Sequence, residues 1–196
     1  MTSAFHHDAA SATALDRVCE LTSIGAGHAA GAMAALTGSP WEMGLPHAVT
    51  LGAGDTDAPL QALEGMPASA CSGVLFEVIG GLGGALALFW RVDAREALLA
   101  KLLGENASIE PQAESALREV GNIAASHAVS AFGELLGSAV LISPPQLELE
   151  GATAAFAALV SSQAQGEPTL RVEVELRARS GGHAAVLVYA PASRAR

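Results

Sequence analysis

Lysine is almost missing from this chain. Only Lys101 is present, and Lys and Arg together number 10 against 20 Asp and Glu, a formal net charge of −10 over 196 residues. A nucleic-acid backbone needs a cationic face to displace its counterions, so that class of partner is excluded. Aromatic residues make up 4% of the chain although 51% of it is hydrophobic. The core must therefore be built from Ala, Leu, Val and Ile, and small residues let helices approach closely. Cysteine occurs twice, at Cys19 and Cys71. The pair has neither metal-ligand spacing nor the numbers of a disulfide framework, and both read as reduced, buried thiols. The start, MTSAFHHDAA, has no basic stretch and no apolar run, so it does not read as a secretion signal. The longest apolar stretch, Val74 to Trp90, is interrupted by Gly80, Gly81, Gly83 and Gly84. It reads as a β-hairpin and not as a membrane span. These absences point to a cytoplasmic protein without membrane insertion, of a length that suits one domain.

The chain carries clear punctuation. A first helix is expected from Thr13 to Leu36, stopped by Gly38 with Pro40 beyond. His47–Leu51 reads as a strand and 52–67 as a polar loop. Ser72–Ile79 and Ala85–Arg91 flank the glycine turn, and Asp93 is placed to cap a helix over 94–103. Pro111 opens a second long helix that ends at Leu136 before Gly137. A strand over 138–142, a rigid Ser143-Pro144-Pro145 turn, extended chain over 146–150 and a helix over 152–162 follow. Leu170–Arg177 alternates apolar and charged residues, the pattern of a half-buried strand. The last strand is Ala184–Tyr189. The expected fold is α/β (α+β): a single domain over 13–190 with long helices on a largely antiparallel sheet, and flexible tails at 1–12 and 191–196.

The two long helices resemble each other. At an offset of 99 residues, Glu20, Ile24, Ala26, His28, Ala29, Ala32, Leu36 and Gly38 coincide with Glu119, Ile123, Ala125, His127, Ala128, Ala131, Leu135 and Gly137. That period is too long for a solenoid. It predicts a duplicated half-domain, about 13–103 and 110–190, with internal pseudo-twofold symmetry.

The second helix carries Ser115, Glu119 and Asn122, spaced i, i+4, i+7, with Pro144 further on. Residues so spaced share one side of a helix. With Leu117 at zero and about 100° per residue, Val120, Ala124, Ala128 and Ala131 form the apolar stripe, and the polar trio lies roughly 140–200° away. By itself such a trio is a solvated helix face. The first helix offers Asp16, Glu20 and Ser23 at the equivalent places, with Pro46 following. Gly121, unfavourable inside a helix by about 1 kcal/mol against Ala, suggests close packing against the sister helix.

Ser115-x3-Glu119-x2-Asn122-x21-Pro144, together with the repeat, resembles the signature of the CheC/CheX/FliY phosphatases of bacterial chemotaxis. The resemblance implies a hydrolase of two-component signalling that removes the aspartyl phosphate of a CheY-like response regulator. It implies that Asn122 orients the attacking water and that Glu119 docks on the regulator, beside its active-site lysine. Ser115 supports the surface and Pro144 shapes the turn. No cofactor is implied for this chain, since Mg2+ belongs to the phosphorylated partner. Asp16, Glu20 and Ser23 form a degenerate second site, because a hydroxyl is shorter than a carboxamide. The alternative is an adaptor, weakly catalytic or not at all, that binds a response regulator or a CheD-type deamidase. His28 and His127 read as packing histidines near the helix contact, in preference to metal ligands. The Gly80–Gly84 run lacks the lysine and following helix of a phosphate loop.

Overall fold

The computed structural model describes residues 3–53, 55, 58–63 and 71–192. In chain order its elements are α1 (Ser3–Thr37), β1 (Trp41–Met43), β2 (His47–Leu51), a 3-10 turn (Gln61–Leu63), β3 (Cys71–Ile79), β4 (Gly84–Arg91), α2 (Val92–Leu103), a second 3-10 turn (Gly104–Ser108), α3 (Glu110–Leu136), β5 (Leu141–Ile142), β6 (Gln146–Glu148), α4 (Ala152–Ala164), β7 (Thr169–Ala178) and β8 (Ala184–Ala190).

All strand pairs are antiparallel, and the sheet runs β1-β7-β8-β4-β3-β5, with β2 also on β7 and β6 also on β3. Replace β1, β2, β3 and β4 by β5, β6, β7 and β8, and the order reads the same from the other end. In the β4–β8 ladder Leu88 faces Leu187, its own counterpart at the offset of the sequence repeat. The pseudo-twofold axis passes through that pair.

Helices α1 and α3 lie side by side on one face. The seam is made of small residues, Ala26, Ala29 and Ala30 on α1 and Ala124, Ala125 and Ala128 on α3, all buried. Where the helices touch, the bare Cα of Gly25 admits the ring of Phe132. Val74, Leu88, Val174 and Leu187 meet the helices from the sheet. The opposite face is covered by α4, through Phe156 and Val160, and by Leu60 and Leu63 of the loop before β3. Burial of each such side chain is worth about 1.5–3 kcal/mol.

Several elements differ from expectation. Helix α1 starts at Ser3, not Thr13, because no glycine or proline interrupts the alanine-rich chain before Gly25. Residues 3–12 are therefore helical and not a tail. Strand β1 lies between Pro40 and Gly44, too short to show a period. Asp93 does not cap α2. Arg91 holds the cap position, without a side-chain bond, and pairs with Asp93 at 3.3 Å. The strand expected over 138–142 shrinks to Leu141–Ile142, because Gly137 turns left-handed (φ 61°) and the Ser138 amide bonds back to Gly133 at 3.2 Å. Part of the polar loop expected over 52–67 lies outside the described residues. Cys71 is buried and its thiol is pushed up to about 12 by burial. Cys19 is only half-buried, against expectation, with its pKa raised by burial and by Asp16.

The largest departure is in β7. Its charged residues were expected to face solvent, yet Arg171 and Glu173 are 2% and 3% exposed. They pair at 2.9 Å. Arg171 also donates to the carbonyls of Ala58 (2.6 Å) and Pro59 (2.8 Å), and Glu173 accepts the Gln61 amide at 2.8 Å. The pair thus holds the 58–63 segment over the sheet, a contact more than 100 residues distant that no local pattern reports. Removing one partner leaves a buried charge unmatched, which costs about 3–5 kcal/mol. Glu173→Leu is expected to lower stability by that amount in urea unfolding and to expose the loop to protease; a loss below about 1 kcal/mol, the level of an exposed pair, would show that the pair is not buried as described.

Candidate functional site

Helix α3 is placed by its two ends. Pro111 sits in the first turn, where its missing N–H costs nothing, and Gly137 closes the last. Between them the buried arc is wider than the predicted stripe. It takes in Gly121, Ala125, Val129 and Phe132 as well as Val120, Ala124, Ala128 and Ala131. Ser115 and Glu119 lie outside that arc and are exposed, whereas Asn122 borders Val129 and is half-buried. An exposed carboxylate thus stands one turn before a carboxamide held partly in the protein surface.

The side of α3 that carries the trio faces the sheet edge. Gly121 lies directly on β3: a Cβ placed there would be 2.7 Å from the Cβ of Val74. The contact is with the sheet and not, as expected, with the sister helix. Val74 pairs with Leu147 of β6. Eleven residues beyond Asn122, and therefore only about 20° from it around the helix, the position of a Cβ on Gly133 is 3.0 Å from the carbonyl of Ser138. Pro144 is exposed in the turn 143–145 between β5 and β6. Glu119 and Asn122 share the outward side of α3, with Ser115 a further turn back.

The turn interrupts the edge strand. β5 pairs with Val78 and Ile79, and β6 with Gly73 to Leu75. Residues 143–145 therefore stand opposite Phe76 and Glu77, three against two, as in a bulge. Ser143 donates its amide to the Glu77 carbonyl (2.9 Å), its Oγ accepts the Glu77 amide (3.0 Å), and its hydroxyl reaches the Pro144 carbonyl (3.2 Å). Sequence reasoning passed over Ser143. The signal was there: two prolines follow it, neither with an N–H to give the ladder.

The first helix repeats the arrangement with different chemistry. Asp16 and Glu20 are exposed and Ser23 is half-buried. The Ser23 hydroxyl donates to the Cys19 carbonyl of its own helix at 2.8 Å. Pro46 stands in the turn between β1 and β2. His28 and His127, expected as packing residues, are both exposed, because they fall just beyond the edge of the buried arc. Among the described residues no group of three His, Cys, Asp or Glu is placed to hold a metal ion, and no helix is long and apolar enough to cross a membrane. Gly80–Gly83 make the β3–β4 hairpin turn, with the Gly83 amide on the Gly80 carbonyl at 2.8 Å.

Residues 113–149 match the model of the CheC-like family, a span that contains Ser115, Glu119, Asn122 and Pro144. No curated protein matches the chain. Among solved structures it is similar to FliY of Thermotoga maritima (TM-score 0.69, 20% identity, 91% of this chain and 89% of that one). It is similar to the CheX–CheY–BeF3–Mg2+ complex from Borrelia burgdorferi (0.53, 16%, 85% and 94%). The FliM middle domain of Vibrio alginolyticus also matches (0.60, 13%, 87% and 90%). The chain thus carries a segment that matches the CheC-like family, set in the fold that FliY, CheX and the FliM middle domain share.

Two helix glycines separate packing from propensity. Ala is preferred to Gly by about 1 kcal/mol in a helix interior. Gly31 has nothing within 4 Å of the added Cβ, so Gly31→Ala is expected to stabilise by that amount. At Gly121 the clash with Val74 outweighs propensity, and overpacking costs about 1–3 kcal/mol. Gly121→Ala is expected to destabilise, as read by thermal unfolding; equal gains at both sites would refute the close approach of α3 to β3.

Proposed function

We propose that this chain hydrolyses the aspartyl phosphate of a CheY-like response regulator, working from the α3 flank. The observation that carries the reading is the half-buried Asn122 one turn from the exposed Glu119, within the segment that matches the CheC-like family. An acyl phosphate is a mixed anhydride whose carboxylate is a good leaving group, so positioning contributes most of what a catalyst must supply. Water attacks phosphorus, the bond from phosphorus to the aspartyl oxygen breaks, the carboxylate is regenerated and inorganic phosphate leaves. The Asn122 carbonyl accepts a hydrogen bond from that water, and its amide donates to a phosphoryl oxygen. Partial burial restricts the carboxamide to few rotamers, which favours an in-line water.

Glu119, free of any ion pair within its own helix turn, is available to a cation on the partner as a charge-assisted contact. Ser115 borders that contact. The Mg2+ that such a phosphoryl group requires is the regulator's. The solved CheX–CheY complex in this fold supports a partner of the CheY type.

A second reading is a module that binds its partner without turning it over. The likeness to the FliM middle domain favours it, as does the degenerate Asp16–Glu20–Ser23 face. Release of phosphate from a phosphorylated receiver by the purified chain decides between them; no release above the receiver's own rate would leave only the binding reading, with a regulator or a CheD-type deamidase as the partner.

Chemistry and docking separate by residue. Asn122→Ala is expected to lower kcat with little change in receiver binding. Glu119→Ala is expected to weaken binding by about 1.5–3 kcal/mol, roughly 10- to 150-fold, and Glu20→Ala to matter less. Binding titrations run beside turnover would invert these roles if Glu119→Ala bound tightly and Asn122→Ala did not.

A further inference from the structure

We propose that Ser143 is a positioning residue of the α3 site, and that its counterpart, Gly44, is a second reason why the α1 site is weak. The proposal rests on the phosphatase reading and adds to it a residue outside the motif.

The two halves interrupt their edge strands in the same way. β1 pairs with Leu176 to Ala178 and β2 with Thr169 to Glu173. Residues 44–46 therefore stand opposite Val174 and Glu175, again three against two. Gly44 donates its amide to the Glu175 carbonyl at 2.7 Å, just as Ser143 donates to Glu77 at 2.9 Å. The positions are equivalent at the offset of 99. There the likeness ends. Ser143 closes the exchange with its side chain, since its Oγ takes the Glu77 amide at 3.0 Å and turns its own proton to the Pro144 carbonyl at 3.2 Å. A hydroxyl has one proton and two lone pairs, so both bonds are made at once. Gly44 has no side chain to do either.

The consequence falls on the turn proline. Pro144 and Pro145 cannot donate to the sheet, so among the described residues it is Ser143 that ties the turn at the α3 flank to β3. The three bonds of Ser143 hold the Pro144 carbonyl and the Glu77 backbone in one arrangement at the β5/β6 edge, against which α3 packs. At the α1 flank the corresponding turn has the single Gly44 bond. Positioning a water is sensitive to displacements of about 1 Å, which cost up to roughly 100-fold in rate, so the wall of the site matters as much as the carboxamide.

The substitution that tests this is sterically open. A Cβ on Gly44 would be 3.6 Å from the Glu175 carbonyl oxygen and 3.7 Å from its Cβ, ordinary contact distances, and Gly44 is not in the left-handed region. The assay uses the full chain and a CheY-like receiver phosphorylated with acetyl phosphate, with urea unfolding in parallel. Ser143→Ala is expected to lower kcat on the order of 10-fold, within the range that small misplacements produce, with KM and the urea midpoint little changed. Ser143→Thr, which keeps the hydroxyl, is expected to recover most of kcat. In an Asn122→Ala background that silences α3, Ser23→Asn is expected to give weak turnover and adding Gly44→Ser to raise it severalfold. Unchanged kcat in Ser143→Ala, a Thr variant as impaired as Ala, or no gain from Gly44→Ser would each overturn the proposal. A wild-type chain that releases no phosphate would instead refute the phosphatase reading, and this one with it.

Discussion

The β4–β8 ladder is the constraint from which the rest follows. With Leu88 against Leu187, each half contributes one hairpin and the two hairpins join at their inner strands. The strands of the sheet then appear twice, once on each side of that pair. The helices that open the halves can only lie side by side over the centre, and they can do so only if their seam is small. Alanine at Ala26, Ala29, Ala125 and Ala128, with Gly25 under Phe132, supplies that. The low aromatic content is thus the composition that a close helix pair over a twofold sheet requires. The same geometry sends the outer flank of α3 to the β5/β6 edge and that of α1 to the β1/β2 edge. The two polar trios face opposite edges of one sheet, each with its own interrupted edge strand below it.

Symmetry is kept where it carries the fold and lost where it does not. Between the edge strand and the outer hairpin strand, the second half forms α4 and the first half forms the 58–63 segment, and both cover the same face. A helix brings its own backbone hydrogen bonds, while an irregular segment does not. The Arg171–Glu173 pair fills that need by taking two carbonyls and one amide of the segment. A buried ion pair is weak evidence for net stability, but its several directed bonds define where the segment lies. It replaces by chemistry what α4 obtains by regular structure.

Long, punctuated elements were legible in the sequence because their causes are local. Pro111 and Gly137 bounded α3 to within a residue, and the repeat announced the symmetry before any coordinate did. The trio at Ser115, Glu119 and Asn122 followed from helix period alone. What escaped has distant causes. Arg171 and Glu173 look like the solvent side of an amphipathic strand until a segment more than a hundred residues away in sequence folds over them. The wheel placed His28 and His127 toward the core because it took the stripe as centred on Leu117, whereas the sheet extends the buried arc to one side, as far as Val129. Gly121 was read against the wrong neighbour for the same reason: a wheel gives the direction of a residue and not what lies there. Ser143 was overlooked because its role is a side chain standing in for a backbone group: the two prolines after it signal the missing donors, but the partner, Glu77, is defined by the strand gap.

The degenerate half shows why one substitution does not describe the loss of a site. Ser23 is shorter than asparagine, and its proton is already given to Cys19 within the helix. It can accept from a water but offers that water no second contact, so orientation is lost along with reach. On the proposed reading, an edge relieved of catalysis is no longer held to the rigid turn, and glycine at position 44 is what such relaxed constraint permits. On that same reading, the chemistry resides in a helix and an edge turn acting together, and the motif helix records only half of it.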